Sequence, residues 1–330
     1  MTRHRRFAAY IIWIAIAAIL GQLNSVNAAP PSTPETRAIA YLAVEVPKWA
    51  REQHCYSCHN NGDASRALMA AVKSGDLADR TPLADTIEFL ARPERWDANG
   101  PEGPFKDKKL ARIQFASALA AANSTGLLRD AGALAKAAAL VAELQLPDGS
   151  WESDVVGNVG SPATYGRHLA TAMAARVLSQ SDPVKYREAI SRTHAWFEKT
   201  PAKSVLDAAA TLLALADSKV ESKRAERQRC LTLVRGAQSS DGGWGPFVTS
   251  PTEVFDTAIV LLALESQHDK RELVPSIERG RKYLIAAQAA DGSWPATTRP
   301  SGAESYAQQL STTGWAAQAL LATRKHGAKP

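Results

Sequence analysis

Apolar and polar residues along most of this chain recur with the 3.6-residue period of a helix, and no stretch sustains the two-residue alternation of a half-buried strand. Twelve segments carry the pattern. They pair as 36–54 with 63–75, 82–92 with 107–123, 129–145 with 164–179, 184–199 with 204–217, 221–238 with 253–266, and 274–288 with 305–324. Proline and glycine cluster between the pairs, from Pro93 to Pro104, Gly157 to Pro162 and Pro295 to Gly302, as loops require. The pattern predicts an all-α protein of six helical hairpins. Six hairpins can close into an α/α toroid with one helix of each pair inside and the other outside, which hides the apolar flank that an open solenoid has to cap.

The connections inside the hairpins repeat. Gln145-Leu-Pro-Asp148-Gly149-Ser-Trp151, Gln238-Ser-Ser-Asp241-Gly242-Gly-Trp244 and Gln288-Ala-Ala-Asp291-Gly292-Ser-Trp294 all read Q-x-x-D-G-x-W. Each closes an Ala/Leu-rich helix, Asp-Gly supplies a turn that needs a permissive backbone, and the tryptophan offers a large plate to a neighbouring repeat. The second helices also share wording: Asp207 to Leu215, Asp256 to Leu264 and Thr312 to Leu320 align, each starting with a residue suited to a helix N-terminus.

These repeats resemble the QW-type repeats of the terpenoid cyclase and protein prenyltransferase superfamily, which includes the squalene-hopene cyclases. The likeness is specific over residues 129–320 and rests on hairpin spacing alone over 36–123. It implies an α/α toroid. It does not carry the family's chemistry with it. The D-x-D-D motif with which squalene-hopene cyclases protonate an alkene corresponds to Glu253-Val254-Phe255-Asp256, where Phe255 stands in the proton donor's place. An alkene is a very weak base and needs a strong, preorganised acid, which a phenyl ring cannot supply. The Asp-x-Cys zinc pair of the prenyltransferases and the D-D-x-x-D ionisation motif do not occur in the sequence. Asp207 and Asp256 therefore read as helix-start residues, and no catalytic residue is assigned.

In the first hairpin the turn is different. Gln53 closes the helix, but Cys55-Tyr56-Ser57-Cys58-His59 follows where the other repeats place D-G-x-W. C-x-x-C-H is the attachment motif for a c-type haem: Cys55 and Cys58 would hold it through thioethers and His59 would be the proximal iron ligand. A redox-active C-x-x-C disulfide and a zinc site are the competing readings. The first usually sits in a βαβ context and the second lacks a neighbouring ligand pair. For a distal iron ligand the candidates are His168 first, then Met69, Met173 and the loop from Trp96 to Lys109, with a vacant position as a further option.

Composition sharpens the address. Arg3, His4, Arg5 and Arg6 precede an apolar run from Phe7 to Leu20, and Val26-Asn27-Ala28 resembles a cleavage site. This predicts a secretory signal over 1–28, a linker over 29–35, the toroid over 36–325 and a tail over 326–330, with an uncleaved N-terminal anchor as the alternative. Export, to the periplasm or its equivalent, agrees with the compartment in which c-type haem is attached. The chain has only three cysteines, so no disulfide framework holds it, and Cys230 reads as a small buried hydrophobe. The net charge of +6 is spread among acids without a basic stripe, which argues against a nucleic-acid partner.

The sequence thus predicts an exported monohaem c-type protein on a cyclase-like toroid, working in electron transfer or haem-linked redox sensing with a redox partner protein or small-molecule donor or acceptor. The alternatives are a module binding an isoprenoid or peptide in the toroid cavity, and a peroxidase-like haem enzyme.

Overall fold

The computed structural model describes residues 33–99, 108–130, 132–153, 159–216, 221–268, 271–299, 302 and 304–326. The predicted signal, residues 29–32 of the linker and residues 327–330 of the tail lie outside them. Among the described residues there are twelve α-helices and no strand. They are α1 (Pro34–Gln53), α2 (Ser65–Ser74), α3 (Ala84–Leu90), α4 (Lys108–Ser124), α5 (Gly132–Ala142), α6 (Gly166–Ser181), α7 (Arg187–Lys199), α8 (Val205–Ala214), α9 (Glu221–Gly236), α10 (Val254–Glu265), α11 (Val274–Ala287) and α12 (Tyr306–Ala322). The first helix begins at Pro34, because proline at the first helical position gives up a donor that would have no partner there. None of these helices is long and apolar enough to cross a membrane.

The even-numbered helices form the inner ring, each packed against the next, and α12 returns to α2. They are buried on nearly every side; along α10 each residue from Val254 to Leu264 except Leu262 is buried. Ring closure is tight, since a Cβ on Gly314 of α12 would lie 2.5 Å from the Cα of Ala64. The odd-numbered helices form the outer ring and bury one face only, as a helix does when its other face meets water.

The three Q-x-x-D-G-x-W turns are built alike. Gln145, Gln238 and Gln288 each donate from Nε2 to the glycine carbonyl of their own turn, at 3.1, 2.8 and 3.0 Å. Each also reaches a backbone carbonyl of the following outer helix: Ala189, Ser276 and, for Gln288, Pro34 of α1. An arginine of that helix, Arg192, Arg279 or Arg37, donates back to the glutamine oxygen. The glycines lie in the left-handed region against that same outer helix, so no side chain fits. The tryptophan indoles donate to the backbone carbonyls of Val141, Val234 and Leu284, in the last turn of the helix that each motif closes. The expected plate-to-neighbour contact is present as well: Trp244 lies where a Cβ on Gly280 of α11 would be. The last clasp holds the first helix and, with the buried Glu35–Arg281 pair at 2.8 Å, closes the outer ring.

Candidate functional site

The turn between α1 and α2 leads into the ring through a π-helical segment, Cys58–Ala64. Ser57 caps it, accepting from the backbone N–H of His59 and Asn60 at 3.2 and 3.4 Å. Such wide turns are uncommon and concentrate at functional sites. His54 before it has φ 52°, a left-handed conformation unusual for a side chain of its size, which reverses the chain at the end of α1. The turn is pinned from several directions. The backbone of Tyr56 exchanges hydrogen bonds with the Asn99 amide at 2.9 and 2.5 Å. The Tyr56 ring stacks on Phe89 at 4.2 Å, Asn60 donates to the Val46 carbonyl, and Asn61 donates to Thr86.

Cys55 and Cys58 are unbridged and half-buried at this turn. His59 is also half-buried. Burial pushes its imidazole below the ordinary histidine range, with Asp63 opposing, so the neutral form is favoured. Its Nδ1 faces inward, 3.4 Å from the Gln114 amide nitrogen and 3.9 Å from Cys58 Sγ. Among the described residues no three His, Cys, Asp or Glu side chains gather as a cage for a bare metal ion.

Behind His59 lies a buried polar cluster that the sequence reading did not find. Asp63 is fully enclosed and receives four donors. Arg66 Nη2 donates to Oδ1 at 3.0 Å and the Tyr165 hydroxyl donates to the same oxygen, while Gln114 Nε2 and Ser311 Oγ reach Oδ2 at 2.8 and 2.7 Å. Burial and the adjacent carboxylate push the Tyr165 hydroxyl well above its usual range, so it stays protonated and donates to Asp63 while accepting from Arg66 Nη2 at 3.5 Å. Tyr165 itself has φ 58° ahead of α6, and the Arg66 guanidinium lies 4.1 Å over the Trp315 ring. The available signal was the polar residues set into otherwise Ala/Leu-rich inner helices: Asp63 with Arg66 at helical spacing, and Gln114 amid an apolar run.

The stretch matched to D-x-D-D opens α10. Phe255 is buried edge-on against Trp315 at 5.9 Å. Asp256 is buried and paired with Arg299, which also holds Glu253 at 3.2 Å. Burial pushes the Asp256 carboxyl up to about 7 against the opposing pull of Arg299. Its Oδ1 has no hydrogen-bond partner. Asp207 is a helix-start residue, closing a capping box with Ser204.

His168 opens α6 but turns toward the next repeat. Nδ1 is 3.1 Å from Asp207, Nε2 is 3.4 Å from the Thr200 carbonyl, and the ring packs on Trp196 at 4.8 Å. Both nitrogens are committed there. Met69 is fully buried in α2, and Met173 lines a cavity at the opposite end of the ring. Trp96 is buried against Phe115, whereas 100–107 of the Trp96–Lys109 loop lie outside the described residues. Cys230 is fully buried, its thiol pushed up to about 12 by burial and by Glu226, an inert small hydrophobe as its helical setting suggests.

Ring closure, the clasped turns and the inner–outer arrangement define an α/α toroid of the terpene-cyclase kind. Solved structures share it. A single-site variant of the type II terpene cyclase MstE from Scytonema, without ligand, matches with a TM-score of 0.59 at 13% identity, covering 89% of this chain and 98% of that one. Another MstE variant, in complex with geranylgeranyl dihydroxybenzoate, matches at 0.58 and 13% over the same shares. No family model and no curated protein matches the chain.

Proposed function

We propose that this is an exported monohaem c-type protein built on a cyclase-like toroid, acting in electron transfer or haem-linked redox sensing. The observation that carries the reading is the C-x-x-C-H turn itself: two unbridged, half-buried thiols and a neutral-favouring histidine, set where every clearly repeated turn carries a tryptophan clasp. Cys55 and Cys58 would hold the haem by thioethers, and His59 would take the iron through Nε2. When bound, the haem would supply a one-electron centre.

The residues present suit that group. A ligating imidazole must be unprotonated, and burial favours that form of His59. A proximal histidine bound through Nε2 carries its proton on Nδ1 and needs an acceptor there; Gln114 presents its amide nitrogen, a donor, to Nδ1, so His59 would have to take a different partner on binding iron. Asp63 fixes the Gln114 amide with its nitrogen toward His59, an arrangement that favours an unprotonated Nδ1 as long as no iron is bound. Tyr56, Asn60 and Asn61 hold the turn without using either thiol. His168 as the distal ligand would have to leave Asp207 and Thr200 first.

The same reading sets the chain apart from terpene cyclisation. Phe255 stands where the central acid belongs, and Asp256 beside it is engaged by Arg299.

The test is expression with a cytochrome c maturation system, followed by haem staining on a denaturing gel and a pyridine haemochrome spectrum. The native chain is expected to stain. Cys55→Ala/Cys58→Ala is expected to lose the stain and keep its helical circular dichroism, and His59→Ala to change the spectrum of the native haem. A native chain carrying the mass of bare polypeptide would overturn the proposal.

A further inference from the structure

The inner ring encloses a cavity of about 460 Å³ at the end opposite the C-x-x-C-H turn, where the inner helices finish. That is roughly three times the size of a cavity that takes up benzene, and it falls within the range of small-molecule sites. Its walls are apolar, from Met173 and Val177 of α6, Leu213 of α8, Leu262 of α10, and Trp315 and Leu321 of α12.

Charge decides what such a space accepts, and the ionic groups that line it are already answered by the protein. Arg66 is paired with Asp63 at 3.0 Å, and its guanidinium lies over the Trp315 ring. Glu265, the last residue of α10, is held by Lys325 and His326, both at 2.9 Å. Lys73 stands in the last turn of α2, where a cation offsets the partial negative charge of a helix C-terminus. Arg176 of α6 is engaged within the protein. The neutral polar groups are spent likewise. Ser117 and Ser266 donate to the Ile113 and Ala263 carbonyls, both at 2.7 Å, and Gln318 Nε2 donates to Gly314 at 3.1 Å. Arg66 Nε and Trp315 Nε1 lack partners but are buried out of the cavity's reach. A carboxylate or an ammonium carried into this space would give up its water and meet no unanswered counter-charge, which is costly in a low-dielectric interior. An uncharged apolar body loses nothing polar and buries its surface on the walls. We propose that this cavity is a binding site for an uncharged apolar molecule larger than a single aromatic ring, lying against the α6, α8, α10 and α12 side chains.

The site is at the other end of the ring from Cys55, Cys58 and His59, so it stands whether or not a haem is attached. It is best tested on the full chain carrying Cys55→Ala/Cys58→Ala, in which no haem quenches fluorescence. The probe is N-phenyl-1-naphthylamine, uncharged and bright in apolar surroundings. Its comparator is 8-anilino-1-naphthalenesulfonate, the same body with a sulfonate added. The uncharged probe is expected to bind saturably, and the sulfonate at least about tenfold more weakly. Displacement repeats the comparison on a simple chain. Decanol is expected to displace the probe, whereas decanoate and decyltrimethylammonium should need at least about tenfold higher concentrations. Ala121→Trp on α4 and Ala70→Phe on α2 both fill the space, and each is expected to abolish probe binding while leaving the helical circular dichroism intact. No saturable binding of the uncharged probe, unchanged binding in a folded space-filling variant, the sulfonate binding as tightly as the uncharged probe, or either charged chain displacing it as well as decanol would each overturn the proposal.

Discussion

The turn that closes the sixth hairpin and the turn that opens the first stand at the same end of the ring and are held in opposite ways. Around Gly292 the chain spends its polar groups on the neighbour: Gln288 grips Pro34 and Arg37 of α1, and the glycine backbone lies against the Arg37 carbonyl. Around Cys55–His59 the polar groups serve the turn itself, through Ser57, Asn60, Asn61 and Asn99. The difference teaches a division of labour. Because α1 is clasped from behind by the last repeat, its own turn is released from tethering duty and can carry thiols and an imidazole instead. Repeat architectures draw stability from neighbour interfaces, so a turn that is not an interface is where a repeat can afford chemistry.

Gly292→Val attacks the clasp where it is least forgiving. At φ 94° a Cβ would stand 2.4 Å from the Arg37 carbonyl oxygen, so backbone strain and a backbone clash act together. We expect a loss of about 3 kcal/mol or more in urea unfolding. Gly75→Ala is the control. It shares the left-handed backbone, at φ 81°, but faces open space, and should cost only about 1 kcal/mol. Equal losses would mean that backbone conformation, rather than the close approach between repeats, sets the cost.

The two acids near these turns sharpen the contrast. Asp63, beside the C-x-x-C-H turn, is supplied by four donors, whereas Asp256, beyond the Trp244 clasp, keeps Oδ1 unpartnered. Asp256 has its carboxyl raised to about 7 in the folded chain, against about 4 when unfolded. Between those values the folded state retains a proton that the unfolded state has lost, so this group makes stability fall as pH rises from about 4 to about 7, with no further change above. Glu253, raised by burial, acts in the same direction. Asp256→Asn should flatten the slope of unfolding free energy against pH in that window. An unchanged slope would place the proton elsewhere.

Much of this division was legible in the sequence, and what escaped did so for a physical reason. Helical period placed the outer helices, which bury one face, and long apolar runs bounded by turn residues placed inner ones such as α10, which are buried nearly all round. The D-G-x-W turn was readable as a turn, but the reach of Gln145, Gln238 and Gln288 to the next outer helix was not, since a long-range side chain–backbone bond leaves no local period. The Asp63 cluster draws on α2, α4, α12 and the residue before α6, positions whose meeting is fixed only by ring closure. His168 illustrates the same limit: its place at a helix start was readable, its turn toward Asp207 was not.

Gln288→Leu should cost about 1–2 kcal/mol, the worth of its half-buried hydrogen bonds to Pro34, Gly292 and Arg37. Gln53→Leu, at the exposed end of α1, should change stability by no more than about 0.5 kcal/mol. A comparable loss from both would show that the first turn clasps after all.

A small effect is also expected from Cys55→Ala/Cys58→Ala in the chain without haem. Neither thiol is fully buried, and the turn is fixed by groups other than sulfur, with Tyr56 stacked on Phe89 and bonded through its backbone to Asn99. Truncation to alanine keeps the backbone and Cβ, so the loss should stay within about 1 kcal/mol by urea unfolding. Asn99→Ala in the same chain removes both Tyr56 bonds and should cost more than the two cysteines together. If instead the double cysteine variant fell as far as Gly292→Val, the thiols would be structural plugs of the ring, and the first turn would be one more clasp in different residues.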